Sequence, residues 1–451
     1  MSDDDHVQTG RLRRLGRLAY LTARTTGDLL AAQARRKLGG ASEQKGAGGE
    51  PAQPDLTRVA ERILSTLGEL KGAALKLGQA LAMDPDALPP EARKIVARLL
   101  SQAPQRMPYE SVSAIIRAEL GAPPEELFAS FDKEPLAAAS LGQVHAATLP
   151  ESLGGGEVVV KVQYPGIDKA LDSDLANAGL LVKGIALTGK TLDGRAYYEE
   201  VRSSLLRELD YREEAAQCEH YARAAAAYPE LVVPQVYPSR SARRVLCLSR
   251  LRGPSLMEAI EAHPSAEERF RIARLLIFAI WGPFFAARLI HADPHPGNFL
   301  VLPDGRLGVL DFGATKLLSE NFAEVYRGFL VAHGEGRKRP QVGPALQRAG
   351  FRFLGEDEDN AFRFVDRMAD IVERPITEDE PYDFGADPMV QDVRRLFQSE
   401  PLLALSIKPP TEAVLFYRAA AGLAQDLRLL KAAGRFRPVL KEIEARGVAS
   451  R

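Results

Sequence analysis

Two carboxylates and one carboxamide lie at spacings that suit phosphoryl transfer. The chain reads HADPHPGN over residues 291–298 and LDFG over residues 310–313. For phosphoryl transfer, a protein must position the reacting groups and hold a divalent cation at the phosphates. Asp293 can orient or deprotonate an acceptor hydroxyl or water, while Asn298 and Asp311 can offer oxygen ligands to Mg²⁺. These residues therefore predict a Mg·ATP site.

The order of these residues makes the signal specific. The five-residue step from Asp293 to Asn298 is the catalytic-loop spacing of kinases, and Asp311 follows a short apolar strand at residues 307–310. An Asp-Phe-Gly triplet alone is a weak signal, because a second one occurs at residues 383–385. Together and in this order, the segments predict a kinase-like site.

A lysine and an acid upstream complete this predicted site. Residues 158–164 include a β-branched run that predicts a buried strand with Lys161 in its middle. A buried lysine without a partner would be costly, so it should meet an acid or a phosphate. Glu214, in a segment of good helix formers, is the candidate partner. The alternatives are a lysine on an edge strand and an acidic run on a solvated helix face.

The segment before the lysine strand differs from the phosphate loop of kinases. Kinases place glycines there, because backbone amides must approach the anion closely. This chain has Ala137, Ala138, Ala139 and Ser140 instead. Alanine cannot freely adopt positive φ, so we expect a loop that is stiffer than a glycine loop.

These motifs together resemble the UbiB/ADCK family of atypical kinases, in its coenzyme-Q-associated branch. Beside the alanine segment, the matching stretches are residues 71–79 (the KxGQ element), 160–166, 208–210 (the ExD element), 291–298 and 310–315, with further likeness at 379–385 and 409–422. The resemblance covers about residues 56 to 435.

The resemblance implies a role for each residue of the predicted site. Lys161 would contact the α- and β-phosphates of ATP and pair with Glu214. Asp293 would stand at the catalytic-base position. Asn298 and Asp311 would be the metal ligands, and the alanine segment would lie over the nucleotide.

A helical N-terminal extension is implied as well. Lys76 and Gln79 lie on it, and in relatives it packs across the active site, where Lys76 meets Glu208 and Asp210. A lysine and two acids in contact neutralise one another and occupy space that a peptide substrate would need. Lys76 is therefore a catalytic candidate and the other three are nucleotide-site candidates, although the residues alone would make Lys76 an ordinary surface lysine.

Two departures from the kinase pattern bear on the expected reaction. Ser249 stands where relatives commonly carry an acid, although the main chain there could still bind adenine. No Ala-Pro-Glu element follows Asp311 within the next forty residues, so we expect no peptide-docking activation segment. This agrees with the family, in which ATP hydrolysis coupled to lipid is favoured over protein phosphorylation.

Composition places the chain among ordinary proteins of the cytoplasm. It has 451 residues, 45% hydrophobic and 26% charged, with a net charge of −1 and two cysteines. The net charge does not favour binding to nucleic acid, and the sequence contains no nucleic-acid-binding motif. Two cysteines are too few for a network of disulfides. We expect no secretory signal, since residues 2–6 are polar and acidic. The longest apolar stretch, residues 275–287, is short for a membrane span and predicts a buried helix.

The predicted fold class is α+β. We expect a bilobal protein-kinase-like fold with a mixed β-sheet N-lobe, a mainly helical C-lobe and the helical N-terminal extension. The expected domains are a disordered segment with a basic helix and a flexible linker at residues 1–55, the KxGQ extension at 56–130, the N-lobe with an insert at 131–252, and the C-lobe at 253–451.

A basic helix predicted at residues 11–38 suggests contact with a membrane. Arginines on one side and leucines on the other suit an anionic surface, where each arginine contributes about 1 kcal/mol. A solvated helix or a targeting-like segment is the alternative. Other expected partners are a nucleotide, a lipid or quinone-precursor ligand and quinone-biosynthesis enzymes, with a homodimer left open and no nucleic acid.

Two classes of function fit these expectations. The first is an enzyme that hydrolyses Mg·ATP, or transfers phosphate to a small or lipid acceptor, in support of ubiquinone or related quinone metabolism. The second is a scaffold or regulator with weak turnover whose nucleotide-dependent shape organises a membrane-associated biosynthetic complex. A small-molecule kinase of the aminoglycoside or choline type would share the Asp-to-Asn loop but would not explain residues 76–79 or 137–140.

Overall fold

The computed structural model describes residues 106–139, 141–167, 209–335, 342–354, 358–377 and 379–449. The chain forms two compact units, Met1–Arg106 with Tyr164–Leu205 and Met107–Gln163 with Leu206–Arg451. The fold and the site described below belong to the second unit. The predicted basic helix and linker, the extension up to residue 105 with Lys76 and Gln79, and the residues Ser140 and Glu208 lie outside the described residues.

Fourteen short strands occur among the described residues. They are β1 (Ser130–Phe131), β2 (Ala137–Ala139), β3 (Gly142–Thr148), β4 (Glu157–Gln163), β5 (Leu231–Val232), β6 (Val245–Ser249), β7 (Leu289–His291), β8 (Phe299–Val301), β9 (Leu307–Val309), β10 (Thr315–Leu317), β11 (Arg352–Phe353), β12 (Tyr382–Asp383), β13 (Ile407–Lys408) and β14 (Ala433–Gly434).

Thirteen α-helices occur in the same ranges. They are α1 (Tyr109–Leu120), α2 (Pro124–Leu127), α3 (Tyr211–Ala224), α4 (Leu256–Glu261), α5 (Ala266–Ala287), α6 (Glu320–Gly334), α7 (Val342–Arg348), α8 (Glu358–Val372), α9 (Arg374–Thr377), α10 (Met389–Ser399), α11 (Pro401–Ser406), α12 (Thr411–Leu429) and α13 (Arg437–Ala449).

An antiparallel sheet forms the N-terminal half of this unit. Its strand order is β1-β3-β4-β6, with β2 paired to β3. Val158, Val160 and Val162 of β4 are fully buried, as expected for β-branched residues that alternate onto one face of a central strand. Lys161 lies opposite Val144 of β3 and Leu246 of β6. The alternative of an edge-strand lysine is therefore wrong, because β4 has a partner on both sides.

Helix α3 packs against this sheet and presents Glu214 to the interior. Asp210 caps the helix by accepting a hydrogen bond from the main-chain N–H of Arg212. Glu214 is buried on the same face as Tyr211 and Cys218, which lie three and four residues away. The alternative of a solvated acidic face is wrong at this position.

Helix α5 is the central helix of the mainly helical half. Most of its residues from Ile272 to Phe285 are buried, which confirms the buried helix predicted at residues 275–287. By length and composition this helix would be able to cross a membrane, but 67% of its most apolar window is buried inside the fold. It packs against α13, α12 and α3 and leads directly into β7.

The apolar core extends from α5 to the segments that carry the predicted catalytic residues. Phe299 follows Asn298, Phe312 follows Asp311, and both rings are fully buried in the main cluster. Removing a buried phenylalanine costs about 3–5 kcal/mol, so each ring is a strong anchor for the polar residue before it.

One buried carboxyl should make the stability of this half depend on pH. Asp426 of α12 is 1% exposed, and its Oδ2 has no hydrogen-bond partner within the described part of the chain. Burial raises the pKa of Asp426 from 3.8 to about 8. Between these two values the folded protein keeps a proton that the unfolded chain has released, so stability falls as the pH rises through this range.

We therefore expect Asp426→Asn, which removes the charge, to raise the melting temperature at pH 8 relative to the natural sequence and to change it little at pH 5. Thermal denaturation from pH 5 to pH 9 measures the difference between the two proteins. The exposed Asp379→Asn is the control and should follow the natural sequence at every pH. A constant difference across the range would show that Asp426 does not titrate between the two values.

Candidate active site

Two neighbouring strand pairs bring the predicted catalytic segments together. Strand β7 pairs with β10, so that His291 lies opposite Thr315. Strand β8 pairs with β9, and the N–H of Leu310 donates to the carbonyl of Asn298 at 2.8 Å. The Asp-to-Asn loop joins β7 to β8, and the Asp-Phe-Gly turn joins β9 to β10. Each loop therefore connects the same two small sheets, and the two loops lie side by side.

His291 connects these two loops. Its Nε2 lies 2.8 Å from the carbonyl oxygen of Asp311, and its Nδ1 lies 3.4 Å from the main-chain nitrogen of Asp293. A carbonyl can only accept and an N–H can only donate, so the proton of the neutral ring is on Nε2. The side chain is 1% exposed. In the sequence, His291 is the first residue of the motif and has no predicted role.

Asn298 and Asp311 each carry a side-chain oxygen that could bind a cation. The side-chain nitrogen of Asn298 donates to the main-chain carbonyl of Asp293 at 2.9 Å, which leaves the amide oxygen as its ligand atom. Asp311 has φ 58°, in the left-handed region that residues other than glycine seldom adopt, and its Oδ1 accepts from the N–H of Gly313 at 3.3 Å. Unusual backbone of this kind is concentrated at functional sites.

A pair of oxygen donors suits Mg²⁺ in particular. Magnesium keeps several waters and is usually bound through one or two protein ligands together with substrate phosphates. In the described ranges there is no group of three or more His, Cys, Asp or Glu side chains that could hold a metal alone. The donor set at Asn298 and Asp311 therefore fits a cation that arrives with a nucleotide.

Lys161 and Glu214 form a buried ion pair beside this turn. Lys161 Nζ lies 2.5 Å from Glu214 Oε1, with side chains 14% and 9% exposed. Burial alone would lower the pKa of Lys161, but the negative charges of Glu214 and Asp311 outweigh it and raise that pKa. Burial raises the pKa of Glu214, against the lowering effects of Lys161 and of a hydrogen bond from the N–H of Phe312. The pair is thus linked directly to the Asp-Phe-Gly turn.

Asp293 is paired with a residue that the sequence analysis missed. Its Oδ1 accepts a hydrogen bond from Nη2 of Arg418, which lies on α12. One turn further along α12, a Cβ at Gly422 would lie 2.6 Å from Pro294 Cγ, so only glycine allows this close approach. The likeness noted at residues 409–422 was the one sequence signal that pointed to this helix.

The start of α12 also holds the segment after the Asp-Phe-Gly turn. Glu412 accepts hydrogen bonds from the main-chain nitrogen of Ser319 at 2.5 Å and from its hydroxyl at 2.8 Å. Ser319 is the N-cap residue of α6, and its own side chain makes no capping bond. The carboxylate of Glu412 thereby binds the N-cap residue of α6 through its N–H and its hydroxyl.

The alanine segment differs from the prediction. Ala137–Ala139 form strand β2 rather than a loop, and only two residues separate them from β3. The register pairs Ala138 with Gln143 and Ala139 with Gly142. A Cβ at Gly142 would lie 2.1 Å from the carbonyl oxygen of Val162, so a larger residue could not pair there. The nucleotide-contact roles of these alanines stay predictions.

Gln143 and His145 of β3, the strand paired with β2, belong to a buried polar network. The side-chain amide of Gln143 both accepts from and donates to the main chain of Met107, at 3.1 Å each. Its nitrogen also lies 3.0 Å from Nε2 of His145, whose Nδ1 lies 2.8 Å from the carbonyl of Asp132. Burial lowers the pKa of His145, so the neutral ring can accept from Gln143. The network ties the chain at residue 107 to the strand that follows the alanine segment.

Asp210 and Asp383 make local contacts, and the nucleotide-site role of Asp210 stays a prediction. Asp210 forms an ion pair with Arg212, at 2.6 Å, and caps α3. Asp383 of the second Asp-Phe-Gly triplet lies in β12, which pairs with β14, and accepts from the N–H of Gly385 at 2.8 Å. Lys76, Gln79, Glu208 and Ser140 lie outside the described residues, so their roles remain predictions.

A buried lysine–glutamate pair beside an Asp-to-Asn loop and an Asp-Phe-Gly turn defines a kinase-like phosphotransferase site. The ABC1 atypical kinase-like domain matches residues 98–339 of the chain. The protein belongs to this family of atypical kinases, which confirms the predicted resemblance to the UbiB/ADCK family. The predicted α+β kinase-like fold is confirmed as well.

The chain is similar to several mitochondrial atypical kinases. It is 34% identical over 275 residues to COQ8 of Saccharomyces cerevisiae, with 60% of this chain and 53% of that protein covered. It is 30% identical over 430 residues to coq-8 of Caenorhabditis elegans, with 93% and 55% covered. For COQ8B of Rattus norvegicus the identity is 30% over 421 residues, with 91% and 76% covered. The chain spans about half the length of the first two relatives.

A solved structure shares the fold. The Rv3197 protein of Mycobacterium tuberculosis, determined as a complex with erythromycin, has a TM-score of 0.59 and 29% sequence identity to this chain. The likeness covers 86% of this chain and 96% of that one.

The buried ion pair can be tested by removing one charge. In Glu214→Gln, buried Lys161 loses its hydrogen-bonded counterion and keeps only the charge of Asp311 nearby, and breaking such a pair costs about 3–5 kcal/mol. We expect a lower melting temperature and a larger stabilisation by Mg·ATP than in the natural sequence, since phosphate would replace the missing charge. Thermal shift with and without Mg·ATP measures both effects.

The matched control is Glu213→Gln, which changes the exposed neighbour on the same helix. It should alter neither the melting temperature nor the response to nucleotide. Equal behaviour of the two variants would contradict a stabilising role for the Lys161–Glu214 pair.

Proposed function

We propose that this protein binds Mg·ATP and either hydrolyses it or transfers its γ-phosphoryl group to a small or lipid acceptor, in support of ubiquinone or related quinone metabolism. The observation that carries this proposal is the contact of the Lys161–Glu214 pair with the Asp-Phe-Gly turn. A phosphate-binding lysine and a metal-binding carboxylate must face the same nucleotide in any enzyme of this kind, and the electrostatic interaction of Asp311 with Lys161 and Glu214 supports these roles.

Each residue of the site has a distinct part in this proposal. Lys161, kept charged by Glu214, would bind the α- and β-phosphates. Asn298 and Asp311 would hold Mg²⁺, which when bound would neutralise charge on the β- and γ-phosphates. Asp293 would orient the acceptor oxygen and take its proton.

The chain after the Asp-Phe-Gly turn favours a small acceptor over a protein. Strand β10 ends at Leu317 and α6 begins at Glu320. Two residues leave no room at this point for a segment on which a peptide could dock, which supports the expectation drawn from the missing Ala-Pro-Glu element. Hydrolysis, or transfer to a small or lipid acceptor, is the reaction that this connection suits.

A nucleotide-dependent scaffold with weak turnover is the second candidate. The pairing of Asp293 with Arg418 favours it, because one oxygen of the base is already occupied. In that case nucleotide binding would be retained while hydrolysis would be slow. The nucleotide-bound protein would then organise an assembly of quinone-biosynthesis enzymes.

Peripheral contact with an anionic membrane belongs to the same proposal. It rests on the basic segment at residues 11–38 and on the mitochondrial location that the names of the relatives state. The protein would bind a lipid or quinone-precursor ligand at the membrane surface. ATP turnover by the purified protein, with and without anionic liposomes and quinone precursors, tests the whole proposal.

The metal-binding role can be tested at Asp311. We expect Asp311→Asn to abolish ATP turnover and to weaken Mg-dependent nucleotide binding, with a nearly unchanged melting temperature in the absence of nucleotide. The matched control is Asp383→Asn in the second Asp-Phe-Gly triplet, which should leave nucleotide binding intact. Full Mg·ATP affinity and hydrolysis in Asp311→Asn would remove this residue from the site.

The predicted extension can be tested at Lys76. If Lys76 neutralises Glu208 and Asp210 across the active site, Lys76→Ala leaves two like charges uncompensated. We expect it to change ATP turnover or autophosphorylation more than Lys71→Ala does. Lys71 lies five residues earlier, on a helical face about 140° away. Equal effects of the two substitutions would show that the extension has only a structural role.

A further inference from the structure

Arg418 is the residue of α12 whose position the proposed reaction does not yet explain. Its guanidinium donates to Asp293, and 44% of its side chain is exposed. Its neighbours in the same turns are firmly held, since Phe416 and Ala419 are buried and the hydroxyl of Tyr417 lies 2.5 Å from that of Tyr326. A rigid helix thus holds a solvent-accessible cation against the catalytic-base position.

The placement of α12 is fixed on both sides of Arg418. Glu412 binds Ser319 near the start of the helix, and Gly422 packs against Pro294 one turn after Arg418. Residues 418 and 422 are four apart and therefore share a helical face. The guanidinium is consequently aimed at the catalytic loop by contacts that do not involve Asp293 itself.

An ion pair as exposed as this one adds little to stability. The arginine fork also matches the oxygens of phosphate as well as those of carboxylate. A γ-phosphate beside Asp293 would therefore compete readily for the guanidinium. In the proposed function Lys161, paired with Glu214 at 2.5 Å in the interior, binds the α- and β-phosphates, so it is not the residue assigned to the γ-phosphate.

We propose that Arg418 is a catalytic residue that exchanges Asp293 for the γ-phosphate of bound ATP. The inference rests on the proposed function. As the oxygen of water or of an acceptor hydroxyl bonds to the γ-phosphorus, the bond from that phosphorus to the bridging oxygen breaks and ADP leaves with the electron pair. The proton of the attacking oxygen passes to Asp293, freed from Arg418, and Arg418 stabilises the charge on the transferring phosphoryl group.

This exchange also gives a role to the ion pair between Arg418 and Asp293. Pairing with Arg418 holds the carboxylate of Asp293 in place while the site is open to solvent. Arrival of the γ-phosphate would release that carboxylate at the moment when a proton acceptor is needed. ADP, which has no γ-phosphate, would leave the Arg418–Asp293 pair intact.

The test compares ATP with ADP in three variants of the full chain. In Arg418→Gln we expect kcat to fall at least about 100-fold, the scale for losing a positioned charge on the transferring group. Affinity for Mg·ATP should fall about tenfold, as for one lost charge-assisted hydrogen bond, while affinity for Mg·ADP should stay within about twofold. Arg418→Lys keeps the charge without the fork and should recover part of kcat.

Arg428→Gln is the matched control, since Arg428 lies on the same helix ten residues further on, on a different face. It should preserve kcat and both affinities. Equal losses of ATP and ADP affinity in Arg418→Gln would overturn the proposal and assign Arg418 a structural role. An increase in kcat would also overturn it and make Arg418 an inhibitory cover on Asp293.

The inference and the proposed function fail in different ways. Turnover that is lost in Asp311→Asn but kept in Arg418→Gln would leave the proposed function standing and remove Arg418 from it. Binding of ATP without turnover would still test Arg418, through the ATP-to-ADP affinity ratio. Failure of the natural protein to bind either nucleotide would overturn both.

Discussion

The burial of Lys161 and Glu214 as one ion pair constrains how the sheet, α3 and the Asp-Phe-Gly turn meet. A charge removed from water is tolerated only with a partner, so β4 must keep the register that directs Lys161 toward α3. A shift of one residue would turn that side chain to the opposite face of the sheet. The N–H of Phe312 donates to the same carboxylate, which fixes the turn that carries Asp311. One desolvated pair therefore connects three separate elements.

The catalytic loop depends on this turn through a second, uncharged connection. The neutral ring of His291 accepts from the N–H of Asp293 and donates to the carbonyl of Asp311. Because each ring nitrogen has one fixed role, the ring can hold both segments only as the tautomer with its proton on Nε2. The buried rings of Phe299 and Phe312 anchor the same two segments to the apolar core. The packing of both segments therefore rests on the apolar residue that follows each polar one.

The sequence predicted those parts of the site that short spacings determine. The β-branched run around Lys161 and the step from Asp293 to Asn298 are local patterns, and the fold places each as expected. The contact of Arg418 with Asp293 joins residues 125 positions apart, and no local periodicity relates them. The strand at Ala137–Ala139 was missed for another reason. Alanine has a low intrinsic preference for strands, and only pairing with β3, which the single sequence does not display, overrides it.

The contacts of α12 extend the functional unit beyond the segment that defines the family. The matched domain ends at residue 339, yet α12 begins at Thr411 and contacts the active site at three points. Glu412 binds Ser319 at the start of α6, Arg418 pairs with Asp293, and Gly422 allows the helix to approach the loop closely. A chain ending with the matched domain would keep the lysine, the acids and the asparagine but would lose the cation beside the base. Because these contacts come from one helix, the positions of Asp293 and of the start of α6 both depend on residues that follow the matched domain.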